Sequence, residues 1–379
     1  MTPGILRIAF KLLVNDRAKF SALLIGITFS VFLMVQVTSL FAGVLDRSSS
    51  TVTNIGAKLW IMDPAVNTIQ NVIPVPDYLL DAVRSIDGVK YAVPLFSGGG
   101  LAKLKSGNYQ AVSVLGLDDT SLLGRPLLEQ GRIEDIYAEN GFIVVHDAEF
   151  AKLENPTVGT EFEINDNRAV IVGIAKVAAN GLFGIPTLYT TYGRAIQYLP
   201  GMRFTISYIL AEPKAAADIP QIKQEVRKLG YMVLTDAEFE QRIADFYKYQ
   251  TGVGTNIMIM TIVSFLVGLS ISGQTFYSFV LENLDKFGAL KAIGARSSVL
   301  IYIILFQALL SGLTGYGLGA GLCAVVIFLA RLRLPDYAAM ITFGTLSLAF
   351  GMVLVIAAIS GYAASRRVLR IEPFEIFRG

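Results

Sequence analysis

The chain has 379 residues, of which 53% are hydrophobic and only 16% charged. A soluble domain carries about 25% charged residues, so this composition excludes an ordinary soluble enzyme as well as a disordered chain. A formal net charge of +2 is too small to suggest nucleic-acid binding through a basic face; one cysteine, Cys323, excludes an intrachain disulfide framework, and one histidine, His146, argues against a His-based metal or catalytic cluster.

Residues 1–20 open the chain. Ile5, Ile8, Ala9, Leu12 and Leu13 recur at helical spacing, with Arg7 and Lys11 off that stripe. The pattern predicts a basic amphipathic helix lying in the cytoplasmic interface, or else a simple extension of the first span. Ser21 to Leu45 then contains no Asp, Glu, Lys or Arg, and neither do Tyr249 to Leu281, Ser297 to Ala330 and Tyr337 to Ser365. About 20 residues at ~1.5 Å rise cross ~30 Å of hydrocarbon, so four spans are predicted, at 21–45, 250–281, 297–330 and 338–365. The first run is longer than the ~7–15 apolar residues of a signal peptide and begins late, which predicts an uncleaved anchor.

Residues 46–249 are too many for a loop without structure of its own, and they predict an α+β extracytoplasmic domain inserted between the first and second spans. Val and Ile enrichment predicts strands at Tyr109 to Leu115 and Arg168 to Ala175. Alternation places Phe204, Ile206, Tyr208 and Leu210 on one face of a half-buried strand. A helix over Asp77 to Ile86 carries Leu80, Val83 and Ile86 and stops at Gly88. A second, from Ile219 to Leu229, has Asp218 as its cap, Pro220 in its first turn and Gly230 after it. Each leads into an apolar strand, Val89 to Leu95 and Tyr231 to Leu234, so two small αβ subdomains framing an inserted middle are expected unless the likeness is chance. Thr235 and Glu238 form a capping box for a helix with Phe239, Ile243 and Phe246 on one face. That helix leads into the second span, either as a rigid carrier of motion or as a plain connector loosened by Gly252 and Gly254.

The remaining segments are a loop at 282–296, a short external connection at 331–337 with Arg331 and Arg333, and a tail at 366–379 with Arg366, Arg367, Arg370 and Arg378. Basic residues collect on the cytoplasmic side. Arg7, Lys11, Arg17 and Lys19 (against Asp16), the loop residues Lys286, Lys291 and Arg296, and the tail therefore predict cytoplasmic N- and C-termini and a cytoplasmic 282–296 loop. The inserted domain, with 24 acidic and 19 basic residues, lies outside.

The chemistry is sparse. No Gly-x4-Gly-Lys-Ser/Thr phosphate loop occurs, Lys105-Ser106-Gly107 lacks the preceding glycines, and Gly98-Gly99-Gly100 reads as a turn. Neither a catalytic set nor a bound cofactor or metal is expected in this chain. The spans hold Gln36, Gln274 and Gln307 but no Asp, Glu, Lys, Arg or His, which argues against an ion-driven carrier, because such carriers place charged groups at membrane depth. Gly315-xxx-Gly319, Gly317-xxx-Gly321 and Gly268-xxx-Ser272 permit close helix packing, the first pair most simply within one chain. Gln36 and Gln274 are candidates for hydrogen bonds across a dimer axis.

The most specific stretch is Glu282 to Ala295. Leu284, Phe287, Leu290 and Ile293 recur at intervals of three, which suits either a short amphipathic helix gripped by a partner or a solvated turn. In full, FVLENLDKFGALKAIGA resembles the E-x-G-x-L-[KR]-A-[IL/M]-G-[AY] run of MacB/FtsX-type ABC transporter permeases, most nearly the DevC-like ones. The likeness continues through the amphipathic N-terminus, LIGITFSVFLMVQ, the inserted domain and RIEPFEIFRG. The departure is Phe287-Gly288, where many relatives have a more polar residue before the small one.

The resemblance implies a membrane α-helical permease with four transmembrane helices and a MacB-like periplasmic domain, in a bacterial inner membrane, as a homodimer or pseudo-dimer. It implies a separate cytoplasmic ATPase that binds ATP and Mg and grips a coupling helix containing Glu282, Leu284, Asp285, Lys286, Phe287, Gly288, Leu290, Lys291, Ile293 and Gly294. It further implies mechanotransmission, with export of a hydrophobic or lipid-like compound and, in related systems, a periplasmic adaptor and an outer-membrane channel. The alternative it allows is a non-transporting relay that activates a periplasmic partner. Phe29, Phe32, Met34 and Phe41 suit a lipid-like cargo, and bilayer contact explains them equally.

Overall fold

The computed structural model describes residues 3–176, 184–199, 206–334 and 337–369. Phe204 and the tail sequence RIEPFEIFRG, on which two of the expectations above rest, lie outside them. The chain opens with α1 (Pro3–Asn15), α2 (Arg17–Ser48) and α3 (Ser50–Ile55). It continues through β1 (Leu59–Met62), α4 (Tyr78–Arg84), β2 (Val89–Lys103), β3 (Tyr109–Leu117), β4 (Leu127–Gly131) and β5 (Gly141–Val145). Next come β6 (Glu161–Ile164), β7 (Asn167–Lys176), β8 (Thr187–Thr191), α5 (Tyr192–Tyr198), β9 (Tyr208–Pro213), α6 (Ile219–Lys228), β10 (Met232–Thr235) and α7 (Asp236–Asp245). Helices α8 (Gly252–Glu282), α9 (Leu284–Ala292), α10 (Ser297–Arg333) and α11 (Phe343–Leu369) complete it. These form two compact units, Met1–Gly43 with Val253–Gly379, and Val44–Gly252.

Among the described residues, the second unit is built on a ten-stranded sheet in the order β10-β1-β9-β2-β3-β8-β5-β7-β4, with β6 paired to β2 and β7. The fifteen-residue β2 serves both halves: Val89 to Leu95 pair with β9, and Phe96 to Lys103 pair with β3. The first half, β1-α4-β2 with β9-α6-β10, is a split βαβ arrangement into which the β3–β8 segment is inserted. The two helix–glycine–strand units are therefore not separate subdomains. Leu79 and Val83 of α4 and Ile222 and Val226 of α6 share one buried cluster with Val89 and Val233 on one face of a single sheet.

Burial on both faces explains where simple alternation misleads. β5 reads Gly-Phe-Ile-Val-Val and is buried throughout, with Ile143 and Val145 in one cluster and Phe142 and Val144 in the other. β9 behaves likewise: Tyr208 and Leu210 join the Trp60 cluster, whereas Ile206, Ile209 and Ala211 join the α4–α6 cluster. Ile206 thus does not share a face with Tyr208. Trp60 anchors its cluster between Tyr208 at 5.6 Å and Phe239 at 5.5 Å. Arg194 of α5 pins the far half, donating to the carbonyls of Ile136, Gly141 and Ala138 at 2.6–2.8 Å; burial pushes its pKa down.

Two local expectations change. Asp218 does not cap α6 with its side chain; its carboxylate accepts from the Ala215 amide at 3.0 Å. The capping box of α7 is present, with Thr235 N–H donating to Glu238 at 2.8 Å and Glu238 N–H donating to Thr235 Oγ1 at 3.3 Å. That helix does not run on into α8, because a π-turn over Phe246–Gln250 ends at Thr251, whose backbone is extended.

In the first unit, α2, α8, α10 and α11 are each long and apolar enough to cross a membrane. α11 starts later than the sequence predicts. Residues 337–342 are not helical, the Met340 N–H donates to Ser39 O at 2.8 Å, and Thr342 and Thr345 exchange amide-to-hydroxyl bonds at 3.0 and 3.2 Å to start the helix at Phe343. Small residues set the contacts with α2. A Cβ on Gly315 would meet Ile27 at 2.5 Å and one on Gly319 would meet Thr28 O at 2.7 Å, whereas Gly317 and Gly321 face open space. Gln36 is used within the chain, donating to Tyr337 Oη and accepting from Cys323 Sγ, and Gln274 is exposed. Helix α1 buries Ala9 and Leu13, and Gln307 of α10 donates to Ala9 O at 2.8 Å. Ile8 and Phe10 are exposed, so the buried stripe is narrower than the one the sequence predicts.

Candidate coupling site

Helix α8 ends at Glu282 and the chain turns at once into α9. Asn283 makes that turn. Its side-chain N–H donates to Phe279 O at 2.8 Å, satisfying a terminal carbonyl of α8, while its own carbonyl accepts from Lys286 and Phe287 N–H at 3.1 Å. Lys286 Nζ closes the turn on Asn283 Oδ1 at 2.7 Å.

The far end of α9 has an equally definite cause. Gly294 adopts φ +100°, its N–H donates to Lys291 O at 3.1 Å, and the Ala295 N–H donates to Leu290 O at 3.0 Å. This pairing is a Schellman stop, and the left-handed residue it needs is the glycine of the Ala-Ile-Gly-Ala run. The nine residues between these two caps form a short, closed element and not a solvated turn.

Its faces differ from the period-three stripe. Phe287 and Gly288 are buried, and Leu284 and Leu290 pack against the helix-unit core. Ile293 does not join them: it is 85% exposed, in company with exposed Glu282, Asp285, Lys286, Ala289 and Gly294. Lys291 is intermediate. The predicted residues therefore divide into an inward set that seats α9 and an outward set that a partner is able to touch.

Three residues that the sequence reading did not single out for this site complete it. Asp16 caps α2, accepting from the Lys19 N–H at 3.2 Å, and the Lys19 ammonium ion-pairs with Asp16 at 3.2 Å and with Glu282. The third is Asn283. Hydrogen bonds from Lys19 hold the Asp16 pKa below its ordinary value. Glu282 lies at the negative end of the α8 dipole, and Lys19 offsets that placement. Asn15, Asp16, Arg17, Lys19, Glu282, Asn283 and Lys286 line an open hollow here. Among the described residues no three His, Cys, Asp or Glu side chains converge as a metal site. His146, in the other unit, pairs with Glu129 through Nδ1 at 2.7 Å and packs its ring at a tilt against Phe150.

Among the described residues, four helices long and apolar enough to cross a membrane, with an α+β unit between the first two in chain order and a doubly capped helix after the second, define the architecture of a multi-pass membrane protein. Residues 21–229 match the MacB-like periplasmic core domain and residues 258–373 match the FtsX-like permease C-terminal domain. The chain belongs to the MacB/FtsX-like family of ABC transporter permeases, whose membership implies an ATPase partner.

It is 25% identical to an uncharacterized ABC transporter permease of Methanocaldococcus jannaschii, covering 99% of this chain and 98% of that one. A Mycobacterium tuberculosis permease is 24% identical over 93% of each chain. The macrolide export ATP-binding/permease protein MacB of Bdellovibrio bacteriovorus is 20% identical over 97% of this chain and 60% of its own length. A solved periplasmic region of MacB from Actinobacillus actinomycetemcomitans covers 50% of this chain and 94% of its own, at 13% identity and a TM-score of 0.38.

Proposed function

We propose that this chain is the permease subunit of an inner-membrane ABC exporter of the mechanotransmission type. A separate cytoplasmic ATPase grips the outward face of α9. Its ATP-driven closure rocks two copies of the chain, and the inserted domain, on the outer side, moves with them to export a hydrophobic or lipid-like compound. In this reading both termini and α9 are cytoplasmic, and a periplasmic adaptor and outer-membrane channel complete the path. The observation that carries it is α9 itself, closed at both ends and seated by Phe287, with Asp285, Ala289 and Ile293 left outward. The central stretches of the long helices, which hold no Asp, Glu, Lys or Arg, support a lever over an ion-driven carrier, because the energy then enters from another subunit.

The test is co-purification of the full chain with the ABC ATPase co-expressed beside it. Ile293→Asp and Ala289→Arg alter only exposed positions, so each is expected to retain expression and lose at least tenfold of the captured ATPase. Capture equal to wild type overturns the assignment of α9.

A further inference from the structure

Hydroxyls inside the helix unit mostly turn back onto their own helix. Thr261 Oγ1 donates to Ile257 O at 2.8 Å, Ser264 Oγ to Met260 O at 2.8 Å and Ser311 Oγ to Gln307 O at 2.9 Å. Ser30 Oγ instead crosses from α2 to Ser264 O on α8 at 2.9 Å. Ser272 on α8 and Ser360 on α11 do neither. They are 2% and 4% exposed, and neither Oγ has a hydrogen-bond partner among the described residues.

Both serines line the same small void among α2, α8, α10 and α11, and Ser311 is the third hydroxyl on its wall. A Cβ on Gly273 would lie 3.7 Å from Ser360 Oγ, so the Ser360 hydroxyl approaches α8 one residue away from Ser272. The rest of the wall is apolar, with Phe276, Val353 and Ile356. The space has room for about one water molecule.

We infer that this void is a binding site for a single ordered water that joins Ser272 to Ser360. A buried hydroxyl without a partner keeps its full desolvation cost. A water with two to four polar neighbours in a space of this size removes that cost, which no apolar occupant does. Accepting from Ser272 and Ser360 and donating to Ser311 Oγ, whose own hydrogen is committed to Gln307 O, the water has three partners on three helices.

The test uses the full chain in detergent with Ser272→Ala, Ser360→Ala and the double variant. Each single substitution is expected to lower the thermal midpoint by roughly 2–4 °C. The double variant is expected to fall by less than the sum, since both act through one molecule. Midpoints that stay level or rise overturn the site, because alanine would then only have removed two unpaired groups. Falls that simply add overturn it too, by giving each serine a separate role. A density map that resolves waters provides the second readout: a peak within about 3.2 Å of both Oγ atoms, lost in the double variant, is the expected result, and no peak in the wild type contradicts it.

Discussion

Gly294 carries a conformation that other residues resist. At φ +100° an added Cβ strains the backbone whatever space surrounds it, so Gly294→Ala is expected to destabilise the α9 turn by about 1 kcal/mol or more, read as faster amide exchange across residues 290–295. Thr235 works through a hydrogen bond instead, and Thr235→Ala removes one half of a capping box at about 1 kcal/mol. Trp60 works through volume. It is fully buried against Tyr208 and Phe239, so Trp60→Ala is expected to cost about 3–5 kcal/mol in thermal unfolding of the full chain. Thr235 was legible because Thr-x-x-Glu is a local signal, whereas Gly294 entered only through the family resemblance and its part as a helix stop comes from its backbone conformation. Trp60 was not legible, since its neighbours come from β9 and α7.

At the scale of the element, α9 shows what periodicity reveals and what it leaves out. The spacing of Leu284, Phe287 and Leu290 correctly marks a helix with an apolar face. It does not say whether that face meets a partner or the protein's own bundle; burial of Phe287 answers for the bundle. Ile293 falls on the same period, yet the Schellman stop at Gly294 ends the helix and leaves it in solvent. The Lys19–Glu282 pair lay beyond any local pattern because it joins α2 to the end of α8. Exposed pairs contribute little to stability, typically under about 1 kcal/mol, so its expected effect is on transmission. Lys19→Glu and Glu282→Lys are each expected to lower permease-stimulated ATP hydrolysis severalfold while ATPase capture persists, and the charge-swapped double is expected to recover it. Failure of the swap to recover removes the pair from the route. With its pKa held low, Asp16 stays ionised as pH falls towards 4, and its contribution is lost only as pH drops through that lowered value.

For the whole molecule, composition alone established the membrane character, because runs of more than 20 residues without charge admit few other readings. The α+β unit was legible as a class: β3 and β7 stand where runs of Val and Ile place them, and β2 and β10 begin close to where a strand was expected after a helix and its glycine. Its topology was not, since the pairing of β1 with β9 and β10 joins residues far apart in the chain and β5 shows no alternation. Between the rigid carrier and the plain connector that the sequence left open after α7, the extended backbone at Thr251 favours the connector. The central claim is that force enters this chain from outside, through the outward face of α9. Site-directed cross-linking to the co-expressed ATPase tests it most directly, with a photoreactive residue placed in turn at positions 285, 289 and 293 and at 284, 287 and 290. The account predicts ATPase adducts from the first three and none from the second three. Adducts absent from 285, 289 and 293, or ATP hydrolysis by the isolated chain, would contradict it.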